Sequence, residues 1–419
     1  MTTVNDMTTL NAWFKTAYAD KVKDLIPDNV IIAKEAAELP RDQQPGGDYS
    51  LPVNLTLENG VTKAASSAGA FALNAPVAMA TKNATLAGSQ FLLRSALDYE
   101  TIFRSKNKNS FVAATKGVIQ NMLKSAYFYQ EVDMLWGQQG IATLSAVAGT
   151  TFTITTAEYA PGLWIGAEGR ELRIESAAGV LRGTCSITGV DIENRQITVD
   201  AAPAGTAATD VVFFEADGAS GANCMLGLYK IITPTTGTLF GINRATYSLW
   251  RGVGTYSAGA AALSFQKIMK AIAQGVNRGL GSDIREIDIF VHSQAYADLG
   301  TDQAALRRYD AKYSQDEYVN GAEKLTFISQ AGATHIRQHP MMKEGYAVIL
   351  PKLSKSVSKV GAACTPTFEL PGMVVNGEKQ YLRTMENNAG IETRVYWNCA
   401  AFTPIVHQML WINNIVNAS

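Results

Sequence analysis

Residues 395–419 read VYWNCAAFTPIVHQMLWINNIVNAS. Terminal segments are poorly ordered unless something ties them down, and a run this rich in Trp, Tyr, Phe, Val, Ile and Leu is tied down by burial. Burying a single Trp, Leu or Ile side chain contributes roughly 1.5–3 kcal/mol, ample to order such a segment. The run is not a membrane span. Asn398, Pro404, His407, Gln408, Asn413 and Asn414 interrupt it, and no other stretch approaches the ~20 apolar residues that a spanning helix needs. It therefore reads as core strand, and two questions follow: which sheet does it complete, and what covers a surface with so few charges?

The chain has 419 residues, enough for two or three domains each with its own core. Its net charge is −1 and only 17% of residues are charged, below the roughly 25% of an ordinary globular chain. Interface cores are depleted in charge, so this composition points to a surface covered largely by other protein. No basic block is present, which argues against a tight electrostatic grip on nucleic acid. The opening MTTVNDMTTLNAWFKTAY lacks the charged and apolar regions of a secretory signal. The four cysteines, Cys185, Cys224, Cys364 and Cys399, are far apart in sequence and form no CxxC pair; they read as scattered reduced thiols.

Working back from the terminal run, the patterning divides the chain. Residues 7–26 place Leu10, Trp13, Phe14, Ala17, Val22, Leu25 and Ile26 on one helical face, stopped by Pro27-Asp28-Asn29. Leu51, Val53, Leu55 and Leu57 alternate with Pro52, Asn54, Thr56 and Glu58 into a turn at Asn59-Gly60. Residues 61–90 carry only sparse large side chains, at Phe71, Leu73, Val77 and Met79. The whole reads as a long hairpin without a core of its own, which has to lean on something else. Over 107–136 the spacing of Phe111, Ala114, Val118, Met122, Ala126, Tyr129, Val132 and Trp136 predicts one helix of about 40 Å. Residues 141–215 hold only short strands between Gly-rich turns and read as a small all-β sandwich or barrel. Then come a helix over 264–280, the strand EIDIFVH, a helix beginning SQAYADLG, and the strands KLTFIS, THIRQH and YAVIL.

No catalytic constellation emerges. There is no GK dipeptide for a phosphate loop and no GxSxG. GVGTYSAGA at 252–260 lacks GxGxxG spacing and reads as a flexible loop rather than a nucleotide site. His335 and His339 have the spacing of a helical metal pair, but the residues around them read as strand, where the rings would lie roughly 13 Å apart. His292 and His407 read as structural histidines. Arg307 and Arg308 beside Tyr309 read as a solvated or subunit-contacting helix end rather than a phosphate site, and Lys352, Lys355 and Lys359 as one modest basic strip. The expectation is no enzyme, no cofactor, no metal and no membrane.

In order and texture the chain resembles the tailed-bacteriophage major capsid proteins of the Hong Kong 97 type. The segments that carry the resemblance are NGAEKLTFISQAGATHIRQHPMMKEGYAVILP (320–351) and NNAGIETRVYWNCAAFTPIVHQMLWINNI (387–415), together with the order of hairpin, long helix and α/β unit. The resemblance implies an α+β fold laid out as an N-terminal arm at 1–47, an E-loop hairpin at 48–95, a peripheral domain with its spine helix at 96–140, an all-β insertion at 141–217, an axial domain at 218–345, and returning peripheral-domain strands at 346–419. It implies that the last strands complete the sheet beneath the spine helix. It also implies a structural subunit of hexamers and pentamers in an icosahedral shell around double-stranded DNA, assembled in the host bacterial cytoplasm. Its partners would be further copies of itself, a portal, scaffolding or decoration proteins, and DNA held by weak contact. An encapsulin-like cellular shell is the alternative.

Intersubunit contact is expected at Leu51, Val53, Leu55, Leu57, Lys63, Lys82, Arg307 and Arg308, without a covalent cross-link. Because the first amphipathic helix begins within ten residues of Met1, no cleavable scaffolding segment is expected ahead of it. The all-β insertion is expected to face outward.

Overall fold

The computed structural model describes residues 29–36, 48–66, 69–87, 89–98, 108–215, 217–218, 223–282, 284–301, 325–352, 361–367, 374–375, 378–379, 382–385 and 390–417. The helix expected at 7–26, and Arg307 and Arg308, lie outside the described residues.

In chain order the strands are β1 (Asp48–Asn54), β2 (Thr81–Ala87), β3 (Ser89–Asp98), β4 (Ala142–Ala148), β5 (Thr151–Ile154), β6 (Glu171–Glu175), β7 (Leu181–Asp191), β8 (Gln196–Val199), β9 (Val211–Phe214), β10 (Thr238–Leu239), β11 (Ile242–Asn243), β12 (Thr255–Ala261), β13 (Glu286–Val291), β14 (Leu325–Ser329), β15 (Gly332–Gln338), β16 (Ala347–Pro351), β17 (Gly361–Thr367), β18 (Val374–Val375), β19 (Glu378–Lys379), β20 (Leu382–Thr384), β21 (Gly390–Phe402) and β22 (Leu410–Ile415). Among the described residues one helix, Lys108–Trp136, is far longer than the rest.

Three sheets carry the architecture. The first has the order β17-β21-β20, with β3 also paired to β21 through ten registered positions, and the long helix packs on it. β3 was expected to be part of the hairpin; it belongs to this sheet instead. The second sheet has six strands in the order β12-β22-β16-β13-β15-β14. The third is a closed barrel, β4-β5-β8-β7-β6-β9, closed where β9 pairs with β4. Its strands alternate, with Phe152, Ile154, Leu172, Ile174, Ile187, Ile197, Val199 and Val212 buried, as a small barrel filled by inward side chains requires.

The terminal run divides between two sheets. β21 lies in the sheet under the long helix, as expected. β22 does not: it runs between β12 and β16, parallel to the first and antiparallel to the second. β16, also expected under the long helix, pairs with β13 in the same six-stranded sheet. This sheet separates two apolar cores. Ile287, Ile289, Val291, Ala347, Ile349, Leu410 and Ile412 enter one, whereas Phe290, Val348, Leu350 and Trp411 enter the other. A strand covered on both faces reads as a continuous apolar run, which is the physical reason for YAVIL and MLWI.

The same sheet corrects the reading of GVGTYSAGA. Thr255–Ala261 is an edge strand, not a loop, because pairing with β22 overrides the weak strand preference of its small residues. The helix Phe265–Val276, capped by the Ser264 hydroxyl, and the helix that starts at Ser293 flank this sheet. Among the described residues, no helix is long and apolar enough to cross a membrane.

Candidate intersubunit surface and the junction behind it

β1 and β2 pair over seven positions, from Asp48↔Ala87 to Asn54↔Thr81. Between them, the described residues of 55–80 form no regular strand, and a few hydrogen bonds hold the two legs together. Leu55 N–H donates to Ala80 O (2.8 Å), Ala80 N–H to the Thr56 hydroxyl (2.8 Å), and Asn59 N–H to Val77 O (2.9 Å). Nearer the tip, Asn74 donates from its backbone to the Thr62 hydroxyl and from its amide to Val61 O. Such a ribbon buries almost nothing of its own. Leu57 is 89% exposed, Leu73 80%, Val61 62% and Phe71 52%, with Val77 and Met79 also exposed. Apolar side chains this numerous on one projection mark a contact surface.

The structure divides the apolar face expected at 51–57. Leu55 is buried within its own chain, and Leu51 and Val53 are half-buried against the main core. Thr85 N–H, on the returning strand, donates to Phe240 O (2.9 Å) and fixes the base of the ribbon to the body. Of the four alternating residues only Leu57 is left for a neighbour, joined by Val61, Phe71, Leu73, Val77 and Met79. Lys63 and Lys82 are exposed along this projection.

Behind the ribbon, His339–Tyr346 (HPMMKEGY) forms the junction of the molecule. The long helix becomes buried almost all round at its end, from Gln130 to Trp136, and carries Glu131 fully inside. That carboxylate accepts the backbone N–H groups of Ile31 (3.2 Å), Ile32 (2.8 Å) and Ala33 (2.7 Å), so it caps the short helix Ile32–Glu35 from a different element. It also lies 2.6 Å from His339 Nε2. Met341 N–H donates to His339 Nδ1 (3.1 Å), which places the ring proton on Nε2, pointing at Glu131. Arg337 grips Glu35 through two bonds of 2.7 and 2.6 Å, pinning the same segment from β15. Five residues further on, Trp136 donates to Met341 O (3.0 Å) and packs against Tyr229, Tyr346 and Trp411 at ring separations of 5.1–5.9 Å.

Lys343 ties the barrel to this junction. Its buried ammonium lies 4.3 Å from the Trp136 ring centre, donates to Gly140 O (3.0 Å) and pairs with Glu158, which also accepts from the Tyr346 hydroxyl (2.8 Å). Gly162 N–H to Pro340 O, Glu344 N–H to Tyr159 O and Gly345 N–H to Ala157 O add backbone links between barrel and junction. A Cβ at Gly162 would lie 2.7 Å from Pro340 O, so glycine is required by this close approach. Burial opposes ionisation of Glu158, but the Lys343 charge and the Lys343 and Tyr346 hydrogen bonds outweigh it and hold the carboxyl below its ordinary value.

A group with a depressed folded pKa stabilises above its unfolded pKa and loses that contribution as pH falls through the folded one. The melting temperature is therefore expected to fall on acidification through and below the ordinary carboxylate range. Glu158→Gln should remove part of that fall. Thermal melts of the two proteins from pH 7 to 3 check this, and parallel curves would refute it.

His335, which with His339 has metal-pair spacing only on a helix, lies on β15 and bonds Thr326 through Nδ1 (3.0 Å), while His339 serves Glu131. His292 directly follows β13 and accepts Gln294 N–H on Nδ1 (3.2 Å), and burial lowers its pKa to about 4. Among the described residues, one group of metal-ligating atoms comes together: Asp133, Asp217 and Cys224. The Cys224 thiol donates to Asp217, and burial, followed by the Asp217 and Glu215 charges, raises the Asp133 carboxyl well above its ordinary value. Sequence reasoning missed Glu131 and Lys343. Their one signal is a charge set within dense apolar text, YFYQEVDMLW and HPMMKEGYAVIL.

No protein-family model and no curated protein sequence matches the chain. Solved structures do match. A chain of the cyanophage A-1(L) capsid asymmetric unit superposes with a TM-score of 0.50 at 11% identity, covering 95% of this chain and 94% of that one. The capsid of the native GTA particle gives 0.49 at 7% identity over 96% and 95%, and the cyanophage Pam1 capsid 0.44 at 8% over 96% and 97%. The likeness to the cyanophage A-1(L) chain carries the assignment. This chain has, over nearly its whole length, the mixed α/β fold of a phage capsid subunit.

Proposed function

We propose that this chain, built on the phage capsid fold, is a major capsid protein that assembles into hexamers and pentamers of an icosahedral shell around double-stranded DNA. The observation that carries the reading is the ribbon at 55–80. It projects Leu57, Val61, Phe71, Leu73, Val77 and Met79 into solvent, whereas most other large apolar side chains among the described residues are buried or half-buried. A neighbouring copy is the natural cover for it, and the scarcity of charge, at 17% of residues, fits a surface largely occupied by such neighbours. The role is structural and asks no catalysis of the chain. Portal, scaffolding or decoration proteins would meet the same shell, which would form in the host bacterial cytoplasm, and DNA would be held by weak, sequence-independent contact.

The purified chain is expected to sediment as capsomers or closed shells rather than as a 45.0 kDa monomer. Light scattering and negative-stain images check this. A dispersed monomer at high concentration would overturn it, and closed particles filled with a protein cargo instead of DNA would favour an encapsulin-like compartment.

A further inference from the structure

β17 and β21 are antiparallel neighbours, and their register sets Cys364 directly opposite Cys399. In sequence the two are far apart, and the chain has only four cysteines. The type of this pair can be read from a proline two positions away. Opposed residues in an antiparallel ladder alternate between pairs that exchange both N–H···O bonds and pairs that exchange none. Pro366 stands opposite Trp397 and has no N–H to exchange, so that position is of the second type. Its strand lies at the end of the order β17-β21-β20, where a proline is tolerated. Two residues along each strand the type repeats, so Cys364 and Cys399 also occupy a pair without ladder hydrogen bonds. There Cα atoms approach to about 4.5 Å and side chains are nearest, inside the window a disulfide requires.

We propose that Cys364 and Cys399 form a redox-gated staple across the sheet beneath the long helix, closed by a low-molecular-weight disulfide. In the closing reaction one cysteine thiolate attacks a sulfur of the oxidant and expels one thiolate. The second cysteine then attacks the resulting mixed disulfide at the protein sulfur and expels the other. Two electrons pass from the protein to the oxidant, whose two halves leave as thiols carrying the two protons. Cys399 is buried and its thiol is free. Burial, and after it the Asp133 charge, push its pKa up, so little thiolate is present and closure is slow until the sheet breathes. The staple would join β17 to β21 and close the loop between 364 and 399, restraining the unfolded chain as well as the sheet. The inference is independent of the shell reading.

The experiment uses the full-length protein, reduced, freed of reductant and incubated with glutathione disulfide at temperatures up to about five degrees below its melting point. Thiols are then counted after denaturation, and peptides are mapped without reduction. The expected result is a fall from four titratable thiols to two, one linked peptide pair holding Cys364 and Cys399, and a rise of several degrees in melting temperature that dithiothreitol reverses. Cys364→Ser should abolish the linkage, and Cys185→Ser should leave it. Should Cys364→Ser fail to fold, the peptide map of the unaltered protein decides alone. Four thiols surviving the incubation, or a linkage between any other pair, overturns the proposal.

Discussion

Leu57→Asp combined with Leu73→Asp is expected to leave the subunit folded and to stop it from closing shells. The two side chains are the most exposed large apolar groups among the described residues of the ribbon, at 89% and 80%. Charging them costs the isolated subunit almost nothing. In a contact with a second copy, each carboxylate would be desolvated without a partner, a cost of several kcal/mol per site repeated at every equivalent contact of a shell. Circular dichroism and the melting temperature should match the parent, while particles disappear from negative-stain fields. Leu55→Asp is the internal contrast. Leu55 is buried within its own chain, so that variant should lose subunit stability before assembly is tested. Normal capsids from the Leu57/Leu73 double variant would sink the ribbon as a contact surface.

Glu131→Ala is expected to be among the most destabilising single changes in the chain. It removes the acceptor for three backbone N–H groups and for the His339 ring, all in a buried site. Each buried donor left unsatisfied costs about 1–3 kcal/mol, so a loss of roughly 3–5 kcal/mol is expected even after water enters and the segment relaxes. Glu131→Gln separates hydrogen bonding from packing. It keeps the volume but turns one acceptor oxygen into an NH2 group facing N–H donors, so it should lose nearly as much. Melting temperature and protease sensitivity near residues 29–36 measure both. If Glu131→Gln melts within a degree of the parent, the carboxylate is not what holds that segment to the helix.

The two variants probe features of different legibility. The ribbon could be read from sequence because its message is local: alternation at 51–57 followed by small polar residues cannot make a core. Even so, the same alternation gave no sign that Leu55 turns inward while Leu57 stays outside. That depends on where the β1–β2 pair ends, at Asn54↔Thr81, and on the packing of the ribbon base against the body. Glu131 was opaque for the opposite reason. Its neighbours Val132 and Trp136 spelled a helix, but the three N–H groups it serves lie about a hundred positions away in sequence and its histidine partner about two hundred.

What the sequence alone determined was the elements and their order: the long helix by its 3.6-residue period, the short barrel strands by their turns, and the buried character of the terminal run by its apolar density. Those are properties of a residue and its near neighbours. Which sheet each strand joins was decided only in three dimensions. MLWI reads the same whether it completes the sheet under the long helix or the six-stranded one. It enters the second because Leu410 and Ile412 fit one core and Trp411, packed on Trp136, fits the other. GVGTYSAGA became a strand for a similar reason, since β22 beside it offers partners for its backbone. Pairing between distant strands depends on backbone hydrogen bonds that every residue but proline can make, so the sequence does not record who the partner is.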